Sequence, residues 1–316
     1  MRKEKLESYN LTGGIHTLQF KTDNEVLTPD GDIDYINGMS HYNNGTTSVT
    51  LNPNKGEGDL FDFSEFKRVF AKILSNLGVT EYKLLRVDFR LDSYSPEDYE
   101  KFQKLNKYLI SLMAVTYSVK NKYRTIDLFT QKQLSIAIKC DSFELENYDR
   151  NAKNKVTGNQ TEQAQARLEE RTKSRQWRNL RNKETDELDN ICYEFLSVWK
   201  QRWNKAIEHR EQVHKIYNEH LVSLYLDGKN AFPVQFRTLT DFLIQYQNCI
   251  FSRAQMIDLL TQLKRADPSL GFNNPEKKAD NFKRRYGIEY FSLHDLKTAI
   301  SEIENATNFY FTTLTE

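Results

Sequence analysis

The segment KLLRVDFRLD, residues 83–92, constrains the fold more than any other part of the chain. Its apolar residues alternate with charged ones: Leu85, Val87, Phe89 and Leu91 on one side, Arg86, Asp88, Arg90 and Asp92 on the other. A period of two predicts a β-strand with one apolar face and one charged face, as antiparallel sheets contain. The charged face has two interpretations that the spacing leaves open. Either it is a solvated outer surface, or its carboxylates share a divalent cation, which prefers oxygen ligands.

Other segments extend this pattern into a fold. Alternation predicts strands at 15–20, 47–51, 113–119, 124–129, 134–139 and 143–148, and residues 163–172 fit a strand or a helix. Helical spacing is present at 63–77, from Pro96 to about Leu112 and over 186–226, and short helices are predicted in 234–316. The chain is therefore predicted to be α+β, a largely antiparallel sheet with flanking helices followed by a mostly helical C-terminal region. We place a domain boundary near Gly228, giving a catalytic domain at 1–228 and a helical domain at 229–316.

Composition excludes several classes of protein. The 316 residues include 45 Lys and Arg against 44 Asp and Glu, so any nucleic-acid contact depends on local clusters of charge. Three cysteines lie far apart without a CxxC pair, which argues against zinc and disulfides and favours a reducing cytoplasm. No apolar run is long enough for a signal peptide or a membrane span, so we expect a cytoplasmic protein without membrane contact. The sequence contains neither a P-loop nor a His-x-His motif.

Two further segments contain residues suited to phosphoryl-transfer chemistry. ELENYDR, residues 144–150, places Tyr148 at a strand end beside acids and Arg150. A phenol has a pKa near 10, so it needs a metal ion or a nearby cation to act as a nucleophile at neutral pH. The alternative is an ordinary edge tyrosine. In the segment RLEERTK, a strand would align Arg167, Glu169 and Arg171 on one face, whereas a helix would make them a solvent surface.

Basic residues cluster in two places. Residues 150–183 contain ten Lys and Arg against three acids, and residues 264–285 contain seven against three. Basic runs with an aromatic residue suit phosphate contact and base stacking, although a solvated charged helix has the same composition. The predicted DNA-binding residues are Arg150, Lys153, Lys155, Lys173, Arg175, Trp177, Arg178, Arg181, Lys283, Arg284 and Arg285. The segment Ser252–Leu260 fits one helix of a helix-turn-helix or a plain packing helix.

Four motifs occur in a familiar order: VTLNPNK at 49–55, RVDFRLD at 86–92, ENYDRNAK at 146–153 and RLEERTK at 167–173. Over residues 45–175 this order resembles the trans-acting replication initiators of staphylococcal-type rolling-circle plasmids, and related initiators and relaxases of phages and integrative elements. That family shows V-x-F-N-P-N-K, R-L-D-L-A-F-D, I-Y-N-K and R-x-E-I-x-x-K segments. Its members nick an origin strand, stay joined to the 5′ phosphate through tyrosine and leave a 3′ hydroxyl.

The resemblance implies roles for individual residues. The nucleophile falls on Tyr148, the metal-binding acids on Asp88 and Glu169, and the basic partners on Arg86, Arg150 and Arg167. We expect Mg²⁺ or Mn²⁺ on Asp88 and Glu169, with Asp92 or Glu146 as a further ligand, and Arg86, Arg167 or Arg171 beside the phosphate. Tyr148 is followed by Asp149-Arg150 rather than Asn-Lys. The strand before it, Glu144-Leu145-Glu146, is more acidic than in the family, and this extra acidity leaves Tyr117 and Tyr123 as alternative nucleophiles.

The implied partners are double-stranded origin DNA and single-stranded DNA. A host helicase is an expected partner of an initiator, and a homodimer is left open, because no motif specifies either. Three alternative functions also remain: a relaxase for conjugative transfer, a non-catalytic DNA-binding regulator with the same fold, and a structural or interaction protein, for which the near-zero net charge is the only support.

Overall fold

A seven-stranded antiparallel sheet organises the part of the chain that the computed structural model describes, namely residues 11–27, 35–55, 60, 62–94, 99–117, 136–139, 143–150, 166–173, 187–231 and 235–311. The strands are β1 (Leu11–Thr22), β2 (Ile36–His41), β3 (Thr47–Leu51), β4 (Lys83–Ser93), β5 (Ile136–Lys139), β6 (Phe143–Asp149) and β7 (Ala166–Lys173). Their order in the sheet is β2-β3-β1-β4-β7-β6-β5. The predicted α+β class is confirmed, and 163–172, where the pattern fitted either element, contributes strand β7.

Eight α-helices accompany the sheet in the described residues: α1 (Phe63–Asn76), α2 (Tyr99–Thr116), α3 (Glu187–Ala206), α4 (Arg210–Asn230), α5 (Leu239–Gln245), α6 (Arg253–Ala266), α7 (Pro275–Tyr286) and α8 (Leu293–Phe311). The predicted strand at 113–119 is wrong at its start, because residues 113–116 continue α2. Its β-branched Val115 and Thr116 are outweighed by the helix, whose preceding residues Leu109, Leu112 and Met113 are buried. The predicted strand at 124–129 lies outside the described residues.

One layer of helices covers the apolar face of the sheet. Helices α2, α3 and α8 pack on it, and Phe89 of β4 stacks on Phe195 of α3 with ring centroids 3.6 Å apart. The alternation of β4 explains this arrangement, since Val87, Phe89 and Leu91 all point to the helical side and are buried. The opposite face of β4, which carries its charged residues, is turned away from these three helices.

The C-terminal helices form a second layer that packs on α2. Helix α4 contacts α2 and α6, α6 contacts α7, and Tyr108 of α2 stacks on Phe251 with ring centroids 4.5 Å apart. Helix α8 then packs on β1, where a Cβ added to Gly13 would lie 2.7 Å from the Ala306 carbonyl oxygen. The glycine allows this close approach.

The domain boundary near Gly228 stays a prediction. No helix in the described ranges is both long enough and apolar enough to span a membrane.

Candidate catalytic site

The charged face of β4 continues across β7 and β6. Residues directly opposite one another in antiparallel strands share a face of the sheet. Three adjacent rows of polar side chains follow from the register: Thr17, Asp88, Arg171 and Glu144; Arg90, Glu169 and Glu146; and Asp92, Arg167 and Tyr148. The two motifs RVDFRLD and RLEERTK therefore lie side by side, with Tyr148 on the next strand. Asp88, Glu169 and Tyr148 are thereby brought onto three neighbouring strands.

This face is buried rather than solvated. Asp88 and Asp92 are fully buried, and Arg90 is 2 % exposed. The interpretation of β4's charged side as a solvated outer surface is therefore wrong. Burying ionised groups is costly unless each is paired and hydrogen-bonded, so the pairing on this face determines which groups are available for chemistry.

His16 enters the site through a β-bulge. In the pairing of β1 with β4, Ile15 is opposite Phe89 and Thr17 is opposite Asp88, which leaves His16 as the extra residue. Its Nδ1 lies 3.4 Å from Glu169 Oε2. His16, Asp88 and Glu169 each offer a ligand atom within 4.8 Å of the other two, a set that we call the H-D-E cluster. The sequence pattern gave no reason to select His16, because alternation does not reveal a bulge.

The LNPNK turn after β3 holds this bulge in place. The Asn54 amide donates to the carbonyl oxygens of Ile15 and His16 at 2.9 and 3.2 Å, and its own oxygen accepts hydrogen bonds from the backbone N–H of Leu60 and from Arg90. Asn52 Nδ2 lies 3.3 Å from His16 Nε2, while Asn52 Oδ1 accepts from Asn54. The other ring nitrogen, Nδ1, faces the Thr17 hydroxyl at 3.1 Å and Glu169 at 3.4 Å. The first motif thus acts on the site by positioning His16.

Tyr148 contacts the H-D-E cluster directly. Its hydroxyl donates a hydrogen bond of 2.9 Å to Glu169 Oε2, and the side chain is buried. Burial raises the pKa of Tyr148 well above the ordinary value for tyrosine, and the charge of Glu169 adds to the increase. Cross-strand Arg167 opposes this effect. The phenol is therefore protonated at neutral pH, with a carboxylate in place to accept its proton.

Asp88 and Glu169 differ in protonation because their surroundings differ. Burial raises the pKa of Asp88 to about 7, Arg86 opposes the shift, and the charge of Glu169 adds to it. Burial also acts to raise the pKa of Glu169, but the positive charges of His16, Arg171 and Arg167 outweigh it, so that this pKa falls below its ordinary value. Asp88 and Glu169 are thus adjacent buried acids, and Asp88 takes up a proton near neutral pH. A divalent cation bound between them would reduce the repulsion between their carboxylates.

Two arginines stand between these acids and solvent. Arg86 binds Asp88 in a bidentate pair, with Nε 2.6 Å from Oδ1 and Nη2 on Oδ2. Arg171 Nε lies 3.0 Å from Glu169 Oε1, and its Nη2 lies 2.9 Å from Glu146 Oε2. The guanidinium side chains are 30 % and 24 % exposed, whereas the Asp88 and Glu169 side chains are 1 % and 2 % exposed. The arginines thus lie on the solvent side of the site, which we call its opening, and the acids lie beneath them. This arrangement suits an anionic ligand that approaches from solvent.

The H-D-E cluster fits a hard divalent cation. Two buried carboxylates and a partly buried imidazole, all close together, are a donor set that such ions accept. Two adjustments are needed. Arg86 must release an oxygen of Asp88, and His16 Nδ1 must lose any proton it carries before it can bind the ion. Asp88 and Glu169 therefore carry the fit, and His16 is a third donor within reach.

Asp92 and Glu146, predicted as further ligands, lie outside the H-D-E cluster. Arg167 binds Asp92 through Nε and Nη2 at 2.6 and 2.9 Å, and Arg90 pairs with the same carboxylate. Although burial alone would raise it, these arginines hold the pKa of Asp92 below its ordinary value. The structure thus gives Asp92 a charge-pairing role. Glu146 is opposite Glu169 across the strands but pairs with Arg171.

The other predicted residues fall into four groups. Lys173 pairs with Glu144 at 2.8 Å near the opening, and Arg150 follows β6 with a buried side chain. Tyr117, an alternative nucleophile, is at the end of α2 with its ring against Phe143, on the helical side of the sheet. Tyr123, Lys153, Lys155, Arg175, Trp177, Arg178 and Arg181 lie outside the described residues. Lys283, Arg284 and Arg285 form the last turn of α7.

Comparison of the chain with protein-family models, with curated proteins and with solved structures gives no significant match.

Proposed function

We propose that this protein nicks one strand of DNA by metal-assisted transesterification with Tyr148 as the nucleophile. The observation that supports this most is the 2.9 Å hydrogen bond from the Tyr148 hydroxyl to Glu169, a member of the H-D-E cluster. A buried phenol bonded to one of two clustered acids, with arginines at the opening, has each group that phosphoryl transfer by tyrosine needs.

In the proposed cleavage step Tyr148 and Glu169 have separate roles. Tyr148 Oη attacks the phosphorus of the scissile phosphodiester, and its proton leaves through the hydrogen bond to Glu169 and passes on to solvent as the new bond forms. The bond from phosphorus to the 3′ oxygen breaks, the leaving oxygen takes a proton from solvent, and the 5′ phosphate is joined to tyrosine. The phosphotyrosine keeps the energy of the broken ester, so the reverse reaction rejoins the strand without ATP.

The cations stabilise the charge that forms during this step. Arg86 and Arg171 lie at the opening and contact Asp88 and Glu169, so a phosphate that reaches the H-D-E cluster passes within their reach. Arg167, fully buried on Asp92, instead fixes the strand opposite Tyr148. Mg²⁺ or Mn²⁺ on Asp88 and Glu169 would polarise the phosphate and stabilise the leaving oxygen.

The biological role follows from the products. A free 3′ hydroxyl primes DNA synthesis, and a covalently held 5′ end can be rejoined after one round, which suits a cytoplasmic initiator of rolling-circle replication. A relaxase for conjugative transfer uses the same chemistry, and the genes beside this one distinguish the two. Both roles need origin duplex and single-stranded DNA as partners, and an initiator also needs a helicase.

The pairing inside the site supports a second candidate, a non-catalytic DNA-binding regulator. Arg86 and Arg171 already neutralise Asp88 and Glu169, and such a network can serve stability alone. The regulator binds DNA but cleaves nothing when Mg²⁺ or Mn²⁺ is added. The two candidates therefore differ in one assay.

A cleavage assay with matched tyrosine variants tests the proposal. Supercoiled plasmid carrying the protein's own origin is incubated with protein and Mn²⁺, and covalent complexes are separated on a denaturing gel. We expect Tyr148→Phe to abolish both nicking and the adduct, and Tyr117→Phe to retain them. Nicking by Tyr148→Phe at the wild-type rate contradicts the proposal, and no cleavage by the wild-type protein on that plasmid favours the regulator.

A further inference from the structure

Helix α7 carries a concentrated, exposed positive charge that the nicking site does not use. Its twelve residues, PEKKADNFKRRY, contain five Lys and Arg and two acids. Of the acids, Asp280 is bound by Arg253, with nitrogen–oxygen distances of 2.8 and 2.9 Å. Within the part of the chain that the structure describes, none of the five cations pairs with a carboxylate. Such a surface attracts a polyanion.

The core fixes which side of α7 faces outward. Ala279 and Phe282 are its buried residues, so the remaining sides of the helix face outward. Lys278, Asn281 and Arg285 follow at helical spacing, and Arg284 is exposed beside them. Together with Thr240 of α5 and with Phe282 and Tyr286, they line a cleft of about 260 Å³. We call this surface the α7 face.

The helix is held rigidly enough to present that face. Asn274 caps its first turn by accepting from the Lys277 backbone N–H, and Gly287 ends it in the left-handed conformation with φ 65°. Helix α6 packs against it, and the Arg253–Asp280 pair joins the two helices. The backbone N–H of Phe291, beyond α7, donates to the Phe251 carbonyl, before α6, at 2.7 Å. The segment 251–291 is thus one closed helix–loop–helix unit.

We propose that the α7 face binds double-stranded DNA, with α7 lying in the major groove. The groove is about 12 Å wide and admits an α-helix, and twelve residues span about 18 Å. Arginines and lysines along the face suit phosphates on both sides of the groove. Asn281 lies between them; its Oδ1 accepts from Arg284 at 3.0 Å, and its Nδ2 is the group that suits a base edge. The proposal is independent of the nicking chemistry, because none of these residues contacts the H-D-E cluster.

Fluorescence anisotropy with labelled duplex tests this in EDTA, where cleavage does not occur. We expect Arg284→Gln/Arg285→Gln in the full chain to weaken duplex binding by about tenfold at moderate salt, and to lower the slope of log K against log salt by about 2. Lys277→Gln/Lys278→Gln, at the other end of the helix, provides a second variant with the same expectation. Arg68→Gln/Lys72→Gln on α1 is the matched control and should leave affinity and slope unchanged.

Two outcomes overturn the proposal. One is wild-type affinity and salt slope in both α7 variants, with a circular dichroism spectrum that shows them folded. The other is an equal loss of binding to polyglutamate, which identifies a site for acidic proteins or any polyanion. Cleavage of a short single-stranded oligonucleotide should stay at the wild-type rate in the α7 variants. The two assays therefore distinguish failure of duplex binding by the α7 face from failure of the nicking chemistry.

Discussion

His16 Nδ1 lies 3.4 Å from Glu169 Oε2, although their strands β1 and β7 are separated by β4. The contact spans β4 because His16 is the extra residue of a bulge and Asp88 lies between the two strands. Three side chains from three neighbouring strands therefore converge on one point. This convergence is the basis for expecting a single cation there.

The H-D-E cluster should bind one divalent cation through its carboxylates. We expect Asp88→Asn and Glu169→Gln to weaken Mn²⁺ binding, measured by isothermal titration calorimetry, by at least about tenfold, because each removes a charged oxygen ligand. Glu146→Gln is the control, since Glu146 is opposite Glu169 but pairs with Arg171. It should change Mn²⁺ affinity by less than about threefold. Equal losses in all three variants would show a diffuse acidic surface instead of a site.

Arg86 should affect metal binding and cleavage in opposite directions. Its guanidinium occupies both oxygens of Asp88, so it competes with a cation for that carboxylate. We expect Arg86→Gln to bind Mn²⁺ about threefold or more tightly, and to cleave roughly 10²-fold more slowly because a cation beside the phosphate is lost. Calorimetry and single-turnover cleavage measure the two effects. A variant that binds Mn²⁺ more weakly than wild type would contradict the competition.

The Asp92–Arg167 pair should stabilise the fold and take no part in metal binding. Both side chains are buried, so removing Arg167 leaves the buried charge of Asp92 with Arg90 as its remaining partner among the described residues. We expect Arg167→Met to lower the free energy of unfolding by about 3–5 kcal/mol in urea denaturation. Lys67→Met, which breaks a half-exposed pair with Asp189, is the control and should cost less than about 1 kcal/mol. Similar costs for the two variants would mean that Asp92 is not held by its pairing.

His214 should make stability depend on pH. Burial lowers the pKa of His214 to about 4, and its Nε2 lies 2.6 Å from the Tyr108 hydroxyl. A group whose pKa is lower in the folded state binds protons more readily when unfolded, so stability is full above the ordinary pKa near 6.5 and falls as pH decreases towards 4. We expect a loss of about 2 kcal/mol between pH 7 and pH 5 from this residue.

His214→Gln should remove that part of the pH dependence, since glutamine can still accept from Tyr108 but does not titrate. Exposed His294→Gln is the control and should behave like wild type in urea denaturation at both pH values. An unchanged pH profile in His214→Gln would show that the histidine is not the titrating group.

Local patterns in the sequence predicted most of the central sheet. The alternation of 83–92 identified β4, the pattern at 143–148 identified β6, and 47–51 matched β3. The burial of β4's charged face was harder to predict. A period of two shows which residues share a face but not what covers that face. Burial of Asp88 and Asp92 depends on partners from β7, and the sequence of that segment fitted a strand or a helix equally well.

The candidate site was predictable where motifs lie on neighbouring strands. Asp88, Tyr148 and Glu169 come together because β4, β7 and β6 are adjacent. His16 was not predictable, since a bulge breaks the alternation and a single histidine carries no pattern. Asp92 and Glu146 have the same residue types as the cluster acids, and only tertiary pairing with arginines separates them from Asp88 and Glu169.

Mapping the residue that becomes linked to DNA tests the central claim most directly. After reaction with origin-containing DNA and Mn²⁺, the covalent complex is digested with nuclease and protease, and the nucleotide-bearing peptide is sequenced by mass spectrometry. We predict a 5′-phosphodiester on Tyr148. A nucleotide on Tyr117, on Tyr123 or on any other residue would contradict the account, even if the protein cleaves DNA.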